Sequence, residues 1–204
     1  MPFVKGGPPK GSGNSGNIAP KRPTLVSSDA ESRWTAARAL AGHAEAVPDL
    51  AAALDRETVP RVREAIMTAL MRVGDRASVE AILPCLRSQD AGLRAAAIES
   101  LQALPDAIAP FLPPLFGDDD SDVRLLATEL ARNMKASEAT RLLCDLIERE
   151  QHPNVCAAAI DVLTEVGTPE AIPVLEKCAV RFAETPFLPF AISVAVARIS
   201  GAEG

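Results

Sequence analysis

The sequence predicts an all-α protein: an α-solenoid of about five helical hairpins followed by a C-terminal half-repeat. Three observations carry this prediction. The 204 residues are 48% hydrophobic but only 3% aromatic, so small aliphatic side chains must do most of the packing. Ala and Leu, which favour helix, dominate that set. Blocks of similar sequence return about every 31 residues, and inside each block the apolar residues follow one helix face.

Five blocks align with one another. They read DAESRWTAARAL from Asp29, VPRVREAIMTAL from Val59, DAGLRAAAIESL from Asp90, DSDVRLLATELA from Asp120 and HPNVCAAAIDVL from His152. Four anchor residues, Val62, Leu93, Val123 and Val155, lie 31, 30 and 32 residues apart. A half-repeat, FLPFAISVAVARI, follows from Phe187.

Each block is predicted to be one helix of a hairpin. Counted from the anchor, its apolar residues fall at offsets 0, 3, 4, 7, 8 and 11, as in Val62, Ala65, Ile66, Ala69, Leu70 and Val73. This spacing marks one face of an α-helix. Gly74 and Gly167 stand where two of these helices should stop.

The partner helix of each hairpin is predicted between the blocks. Shorter apolar stretches lie at 47–54, 79–86, 108–116, 139–147 and 171–178. Pro84, Pro113 and Pro114 fall deep in two of them, where proline removes a helix hydrogen bond, so these helices should be kinked or shortened. A lone hairpin cannot hide its apolar face, and stacking buries a continuous core.

The first 28 residues differ from the rest of the chain. They hold five Gly, five Pro and four basic residues but no acid, which leaves 17 basic against 27 acidic residues, net −10, for the remainder. We therefore predict a flexible basic tail over 1–28 and a repeat domain over 29–201. The tail's GxGxxG at Gly11–Gly16 lacks the flanking strand and helix of a dinucleotide site and is interpreted as linker.

The acidic stretch GDDDSDVRLLATE, 117–129, has two interpretations. Its acids have calcium-loop spacing, but Val123 stands where the loop needs glycine. In three blocks an Asp precedes an Arg by four residues, in the pairs Asp29 and Arg33, Asp90 and Arg94, and Asp120 and Arg124. An Asp at that place is predicted to cap a helix N-terminus. Weak cation binding by Asp118, Asp119 and Asp122 is the minor alternative.

With its D-x-x-x-R pairs and VRxxA-type helices, the chain resembles the HEAT-repeat family over 29–201, in particular the short HEAT-like repeats of phycobilin lyase subunits. The resemblance implies a ladder of Asp and Arg side chains between neighbouring repeats. We carry the ladder over to the three pairs above and to Arg63. The fifth block has His152 and Cys156 instead, so the ladder should stop there.

Residues for catalysis are scarce. The two histidines lie in different repeats, and the four cysteines form no CxxC pair, as expected for buried thiols in a reducing cytoplasm. We predict no catalytic residues, no metal site and no cofactor.

An acidic repeat domain is a poor binder of nucleic acid. No apolar run is long enough for a membrane span, and no secretory signal is visible, so we expect a cytoplasmic protein.

The block helices are predicted to line the concave side of the solenoid. Offsets 5, 6 and 9 should point into that groove and form a partner-binding surface: Met67, Met71, Ile98, Glu99, Gln102, Thr128, Glu129, Arg132, Ile160, Asp161 and Thr164. An equally weighted alternative places Ile98 and Ile160 in the core. The groove mixes aliphatic side chains with an acidic row.

The function predicted from these features is a non-catalytic scaffold or adaptor that binds a partner protein in the groove. An acidic groove prefers a basic partner segment, and residues 5–22 of the tail could themselves lie along it. The alternative is an enzyme subunit similar to phycobilin lyases, acting on a tetrapyrrole-carrying protein. A third interpretation is a regulatory subunit whose free tail recruits a second partner.

Overall fold

A computed structural model describes residues 24–201, and all regular structure in that range is helical. The α-helices are α1 Ala30–Ala39, α2 Val47–Arg56, α3 Pro60–Val73, α4 Arg76–Ile82, α5 Ala91–Gln102, α6 Pro105–Ile108, α7 Leu112–Leu115, α8 Ser121–Glu129, α9 Ala136–Arg149, α10 Pro153–Val166, α11 Ile172–Arg181 and α12 Phe187–Ile199. Short 3₁₀ turns occupy Ala44–Ala46, Leu83–Arg87, Ala109–Phe111 and Pro169–Ala171.

These helices form five hairpins and one additional helix. The hairpins are α1–α2, α3–α4, α5 with the α6–α7 unit, α8–α9 and α10–α11, and α12 is the predicted half-repeat. In one layer α1 packs on α3, α3 on α5, α5 on α8, α8 on α10 and α10 on α12. In the other layer α2 packs on α4, α4 on α6 and α9 on α11. The predicted α-solenoid is confirmed.

A continuous core runs between the two layers. The anchors and the residues four and eight positions after them supply much of it: Val62, Ile66 and Leu70 are at most 1% exposed, and so are Val155, Ala159 and Leu163. Each large aliphatic side chain removed from water contributes about 1.5–3 kcal/mol. A single hairpin would expose this apolar face to water, so packing against neighbouring hairpins stabilises each repeat.

The helix boundaries follow the predicted capping residues. Asp29, Asp90 and Asp120 each precede a helix, and each carboxylate accepts a backbone N–H of the first turn at 2.8–2.9 Å. Gly74 ends α3 with φ 66°, a left-handed conformation that other residues adopt at a cost. Gly167 ends α10, where an added Cβ would lie 2.3 Å from the Leu163 carbonyl oxygen.

Prolines shorten two partner helices as predicted. The helix α4 stops at Ile82, and the chain continues through Pro84 as a 3₁₀ turn. Near Pro113 and Pro114 the helix divides into the short α6, a 3₁₀ turn and the short α7.

The last residues of the predicted tail lie against the first hairpin. Leu25 packs on the core, and the carbonyl oxygens of Ser27 and Ser28 accept hydrogen bonds from Arg33. Residues 1–23, with the Gly-rich stretch, lie outside the described residues. Among residues 24–201, none of the helices combines the length and the apolar character needed to cross a bilayer.

Candidate partner-binding surface

Two buried Arg–Glu clamps fasten successive block helices together. In the first clamp Arg33 donates from Nε and Nη2 to both oxygens of Glu57, at 2.7 and 3.0 Å. The same carboxylate accepts the backbone N–H groups of Thr58 and Val59, and the Glu57 carbonyl oxygen accepts from Arg63 Nε at 2.7 Å. Glu57 therefore joins α1 to the start of α3. The Arg33 guanidinium lowers the pKa of Glu57 to about 2.

The second clamp repeats this geometry three repeats later. Arg124 donates to both oxygens of Glu150, at 2.7 and 3.1 Å, and the carboxylate accepts the N–H groups of Gln151 and His152. Burial is the largest single effect and raises the pKa of Glu150, but Arg124 and the backbone N–H groups of His152 and Gln151 together outweigh it and the pKa is below its usual value.

The Asp–Arg ladder implied by the family resemblance is largely wrong in its choice of acids. Among the described residues, one inter-repeat bond joins two of the predicted ladder residues, from Arg63 Nη1 to Asp90 Oδ2 at 2.7 Å. Arg87 with Asp118 and Arg132 with Asp161 also link neighbouring repeats, but these pairs use other residues. Within the three predicted pairs, the Asp carboxylate caps its own helix, while Arg33 and Arg124 reach Glu57 and Glu150. Asp90 uses one oxygen for its cap and the other for Arg63, whereas Arg33 and Arg124 bond to a Glu that precedes the next block helix.

One contact recurs in every block. Four repeat arginines donate to the carbonyl oxygen six residues earlier: Arg33 to Ser27, Arg63 to Glu57, Arg94 to Ser88 and Arg124 to Asp118. In the fifth block Cys156 takes this place, with its Sγ 3.9 Å from the Glu150 carbonyl oxygen. The series of arginine contacts therefore ends at the fourth block, since the fifth has a cysteine in the place of the arginine.

The fifth hairpin obtains its positive charge from another helix. Arg181, at the end of α11, donates to the Ile147 and Glu148 carbonyl oxygens at the end of α9. Its Nη2 lies 4.0 Å from Cys156 Sγ and 3.8 Å from Cys178 Sγ. The Cys156 thiol and, to a smaller extent, Arg181 lower the pKa of Cys178, although burial opposes this.

Three residues of the predicted binding surface are buried instead. Met67, Thr128 and Ile160 are at most 2% exposed. The prediction is wrong for Met67 and Thr128, and for Ile160 the alternative placement in the core is the one observed. All three stand at offset 5. The Thr128 hydroxyl donates to the Leu125 carbonyl oxygen of its own helix at 2.7 Å. Ile98, at the same offset, is half-buried against the core.

Three residues of the predicted surface, Glu129, Arg132 and Asp161, form a cluster with Glu165 that we call the acidic strip. Arg132 Nη2 donates to Glu129 at 2.9 Å and to Asp161 at 3.0 Å, and its Nη1 lies 2.5 Å from Glu165. Three carboxylates thus surround one guanidinium, and the strip has a net charge of −2. Burial works to lower the pKa of Arg132, but its bonds to Glu165, Asp161 and Glu129 outweigh it and keep the pKa above the usual value.

The acidic strip extends along neighbouring helices of one layer. Gln102 at the end of α5 donates to the Glu129 carbonyl oxygen at 2.8 Å, and Asn133 donates back to the Gln102 carbonyl oxygen at 3.2 Å. Glu99, Asp161 and Glu165 are exposed, whereas Arg132 is 22% exposed and shielded by its acids. Met71 and Thr164 are half-buried.

Sequence reasoning missed three acids that the structure places in these contacts. Glu57 and Glu150 each stand three residues before the proline that begins the next helix, in ETVP and EQHP, and this shared motif could have revealed them. Glu165 stands at offset 10, one residue beyond the offsets considered. Within residues 24–201 no group of three or more His, Cys, Asp or Glu is arranged around a common point as for a metal ion.

These observations define a helical-repeat protein whose α-helical hairpins stack into two layers around a continuous core. A family model described as HEAT repeats matches residues 22–102 and 108–182. The chain therefore belongs to the HEAT-repeat family. Repeat scaffolds of this kind commonly bind proteins or peptides.

Similar folds are found among solved structures. The CpcE and CpcF complex of phycocyanin lyase from Nostoc sp. PCC7120 matches at 24% identity and a TM-score of 0.44, over 86% of this chain and 74% of that one. A designed armadillo repeat protein in complex with the peptide (KR)4 matches at 16% identity and a TM-score of 0.45, over 86% and 96% of the two chains. An engineered protein matches at 20% identity and 0.43, over 87% and 94%. A search of curated proteins found no match.

Proposed function

We propose that this protein is a non-catalytic scaffold that binds a basic segment of a partner protein on the acidic strip. The observation that carries this proposal is the arrangement of Asp161 and Glu165 one turn apart on α10, both more than half exposed and both bonded to a largely covered Arg132. Their outward oxygens can each accept a further bond from a lysine or arginine side chain.

The net charge of the strip sets the chemistry of the partner. Three carboxylates against one guanidinium favour a cation, and the repeat domain as a whole is acidic, so long-range attraction adds to the local contacts. The half-buried Met71 and Ile98 lie in the same layer on α3 and α5 and offer apolar contact along that layer. A basic segment with interspersed aliphatic residues fits this surface.

The test uses a peptide of alternating lysine and arginine as the probe, bound to the full chain and measured by calorimetry at several salt concentrations. The variant D161N/E165Q removes two carboxylates of the strip. We expect its affinity to fall about tenfold, with a weaker salt dependence, because two charge contacts are lost.

A matched control separates the strip from net charge. D145N/E148Q makes the same change on α9, in the other layer, where both side chains are exposed. This variant should bind the peptide nearly as well as the unaltered protein. Equal losses in the two variants would mean that the peptide senses overall charge only, and the strip would be abandoned as the site.

Removal of residues 1–23 tests the tail. If these basic residues compete for the strip, the shortened chain binds the peptide more tightly and with a different salt dependence. Unchanged binding would remove the tail from the proposal.

The lyase-like alternative stays a prediction, and a visible absorption band on mixing the protein with a bilin would favour it.

A further inference from the structure

The outer face of α12 carries a row of exposed apolar side chains. Phe187, Phe190 and Val194 are 46%, 72% and 39% exposed, and Ala197 in the same row is half-exposed. The opposite face of this helix holds the buried Leu188, Ile192 and Ala195. Aromatic residues are only 3% of the chain, so two on one exposed helix face are a concentrated apolar surface. We call Phe187, Phe190, Val194 and Ala197 the α12 seam.

In the first hairpin, the large apolar side chain at the equivalent position is partly covered. Trp34 of α1 is half-buried and lies between two guanidinium groups, with Arg38 at 4.5 Å and Arg61 at 4.1 Å from the ring centroid. Arg61 belongs to the next helix of the layer, α3. Phe190 stands at the same offset in α12 as Trp34 does in α1, yet none of the described residues covers it to that extent.

The spacing of the α12 seam is self-complementary. Its members are three, four and three residues apart, which is the seam of a two-helix coiled coil. If a second α12 packs antiparallel around a twofold axis at the level of residue 192, Phe190 lies opposite Val194 of the other copy. Phe187 then lies opposite Ala197, so a large side chain meets a smaller one in every layer.

Charges at the two ends of α12 favour the same orientation. Arg198 is exposed in the last turn of the helix, and Glu184 is exposed just before its first turn. The two are separated by roughly 20 Å along the axis, at 1.5 Å per residue. Antiparallel packing brings Arg198 of each copy close to Glu184 of the other, whereas parallel packing brings like charges together.

We infer that the α12 seam is a homodimer interface on which a second copy of this chain packs its own α12 antiparallel. One helix seam is smaller than the roughly 800 Å² per partner of a standard stable interface. The association is therefore reversible, with a dissociation constant between about 1 µM and 1 mM. In such a dimer, the two repeat domains are joined through their α12 helices.

The experiment is sedimentation equilibrium of the full chain across that concentration range. The unaltered protein should follow a monomer–dimer equilibrium, and F190E should weaken dimerisation at least tenfold, because it places two carboxylates in the seam. V26E is the matched control, since Val26 is 74% exposed and lies at the first hairpin. Thermal unfolding should be the same for F190E and V26E, because both side chains point outward.

A charge swap tests the orientation. R198E and E184R should each weaken the dimer, and the double variant E184R/R198E should restore it. A dimer that persists in F190E, or a chain that stays monomeric at the highest concentration, overturns the inference. A chain that dimerises only after removal of residues 1–23 also overturns it, because the tail would then be the occupant of the seam.

Discussion

The two Arg–Glu clamps and the fifth hairpin solve one structural problem with different chemistry. In each case the first turn of a block helix must be fastened to the loop before it. Arg124 does this with a charge-assisted bond to the Asp118 carbonyl oxygen, and its two further bonds reach Glu150 in the loop before the next block helix, all within 3.1 Å. In the fifth hairpin Cys156 makes only a weak sulfur contact at 3.9 Å, and the guanidinium comes from Arg181 on α11.

The comparison shows that the block helices are fastened at equivalent positions, but that the residue types which fasten them differ. A clamp fixes both of its partners and keeps its Glu ionised to low pH. The fifth hairpin instead places a positive charge beside two buried thiols, Cys156 and Cys178. The first arrangement stabilises the stack, and the second changes the acidity of a cysteine. The following predictions test that contrast, beginning with the largest effect.

The first prediction breaks a clamp. Glu57→Gln removes the negative charge that pairs with Arg33. Little water can replace that charge, since the Glu57 side chain is 4% exposed. The pKa of about 2 in place of 4.5 corresponds to about 3 kcal/mol of stability at neutral pH. Urea unfolding should show a loss of that order. Glu31→Gln is the control, because its pair with Arg61 is 59% exposed on both sides and contributes little. Equal losses would refute the clamp.

The second prediction follows the same clamp with pH. The folded pKa of Glu57 lies below its unfolded value, so its contribution is complete above pH 4.5 and is lost as the pH falls from 4.5 toward 2. The stability gap between the unaltered protein and Glu57→Gln should therefore close over this window. A gap that stays constant down to about pH 2 would show that the carboxylate charge is not what stabilises the clamp.

The third prediction concerns the fifth hairpin. Arg181→Met removes the guanidinium beside Cys178 while keeping a side chain of similar length. The pKa of Cys178 should rise, because one of the two groups that favour its thiolate is gone while the Cys156 thiol remains. The pH dependence of thiol alkylation, followed by peptide mass spectrometry, measures this shift.

Cys144 serves as an internal control in the same experiment. Burial raises its pKa to about 11, and none of the four contacts of Arg181 involves it. Its alkylation profile should not change in Arg181→Met. A parallel shift of both cysteines would point to general loosening of the C-terminal hairpin and not to loss of a local charge.

The fourth prediction has the smallest expected effect. Asp90→Asn keeps an N-cap residue but removes the ion pair with Arg63, in which the Asp90 side chain is 51% exposed. The loss of stability should be no more than roughly a third of that for Glu57→Gln, because solvent screens the pair. A loss as large as that of Glu57→Gln would make the Asp–Arg rung as important as the clamps.

Much of the fold could be predicted because its signals are local. The offsets of Val62, Ile66 and Leu70 specify a helix face, and Asp90 and Gly74 mark helix ends through bonds to the adjacent backbone. Prolines 113 and 114 interrupt a helix for equally local reasons. The number of hairpins followed from counting blocks.

The candidate site was predictable only in part. Asp161 is exposed on its helix as expected, but Met67, Thr128 and Ile160 are buried by the packed helices, which the pattern of a single helix cannot reveal. Glu57 and Glu150 resembled ordinary surface acids at helix ends until the preceding repeat's Arg was placed beside them.

Amino-acid order therefore specifies where this chain is helical, where each helix stops and how many hairpins it forms, because periodicity and capping act within a few residues. Packing between hairpins specifies which acids become clamps, which thiol is acidic and which apolar side chains stay exposed. The clamps depend on charges far apart in sequence, as for Arg33 and Glu57, which are 24 residues apart. Cys178 has Arg181 three residues away on its own helix, but Arg181 reaches Cys156 of α10 only when the helices are packed.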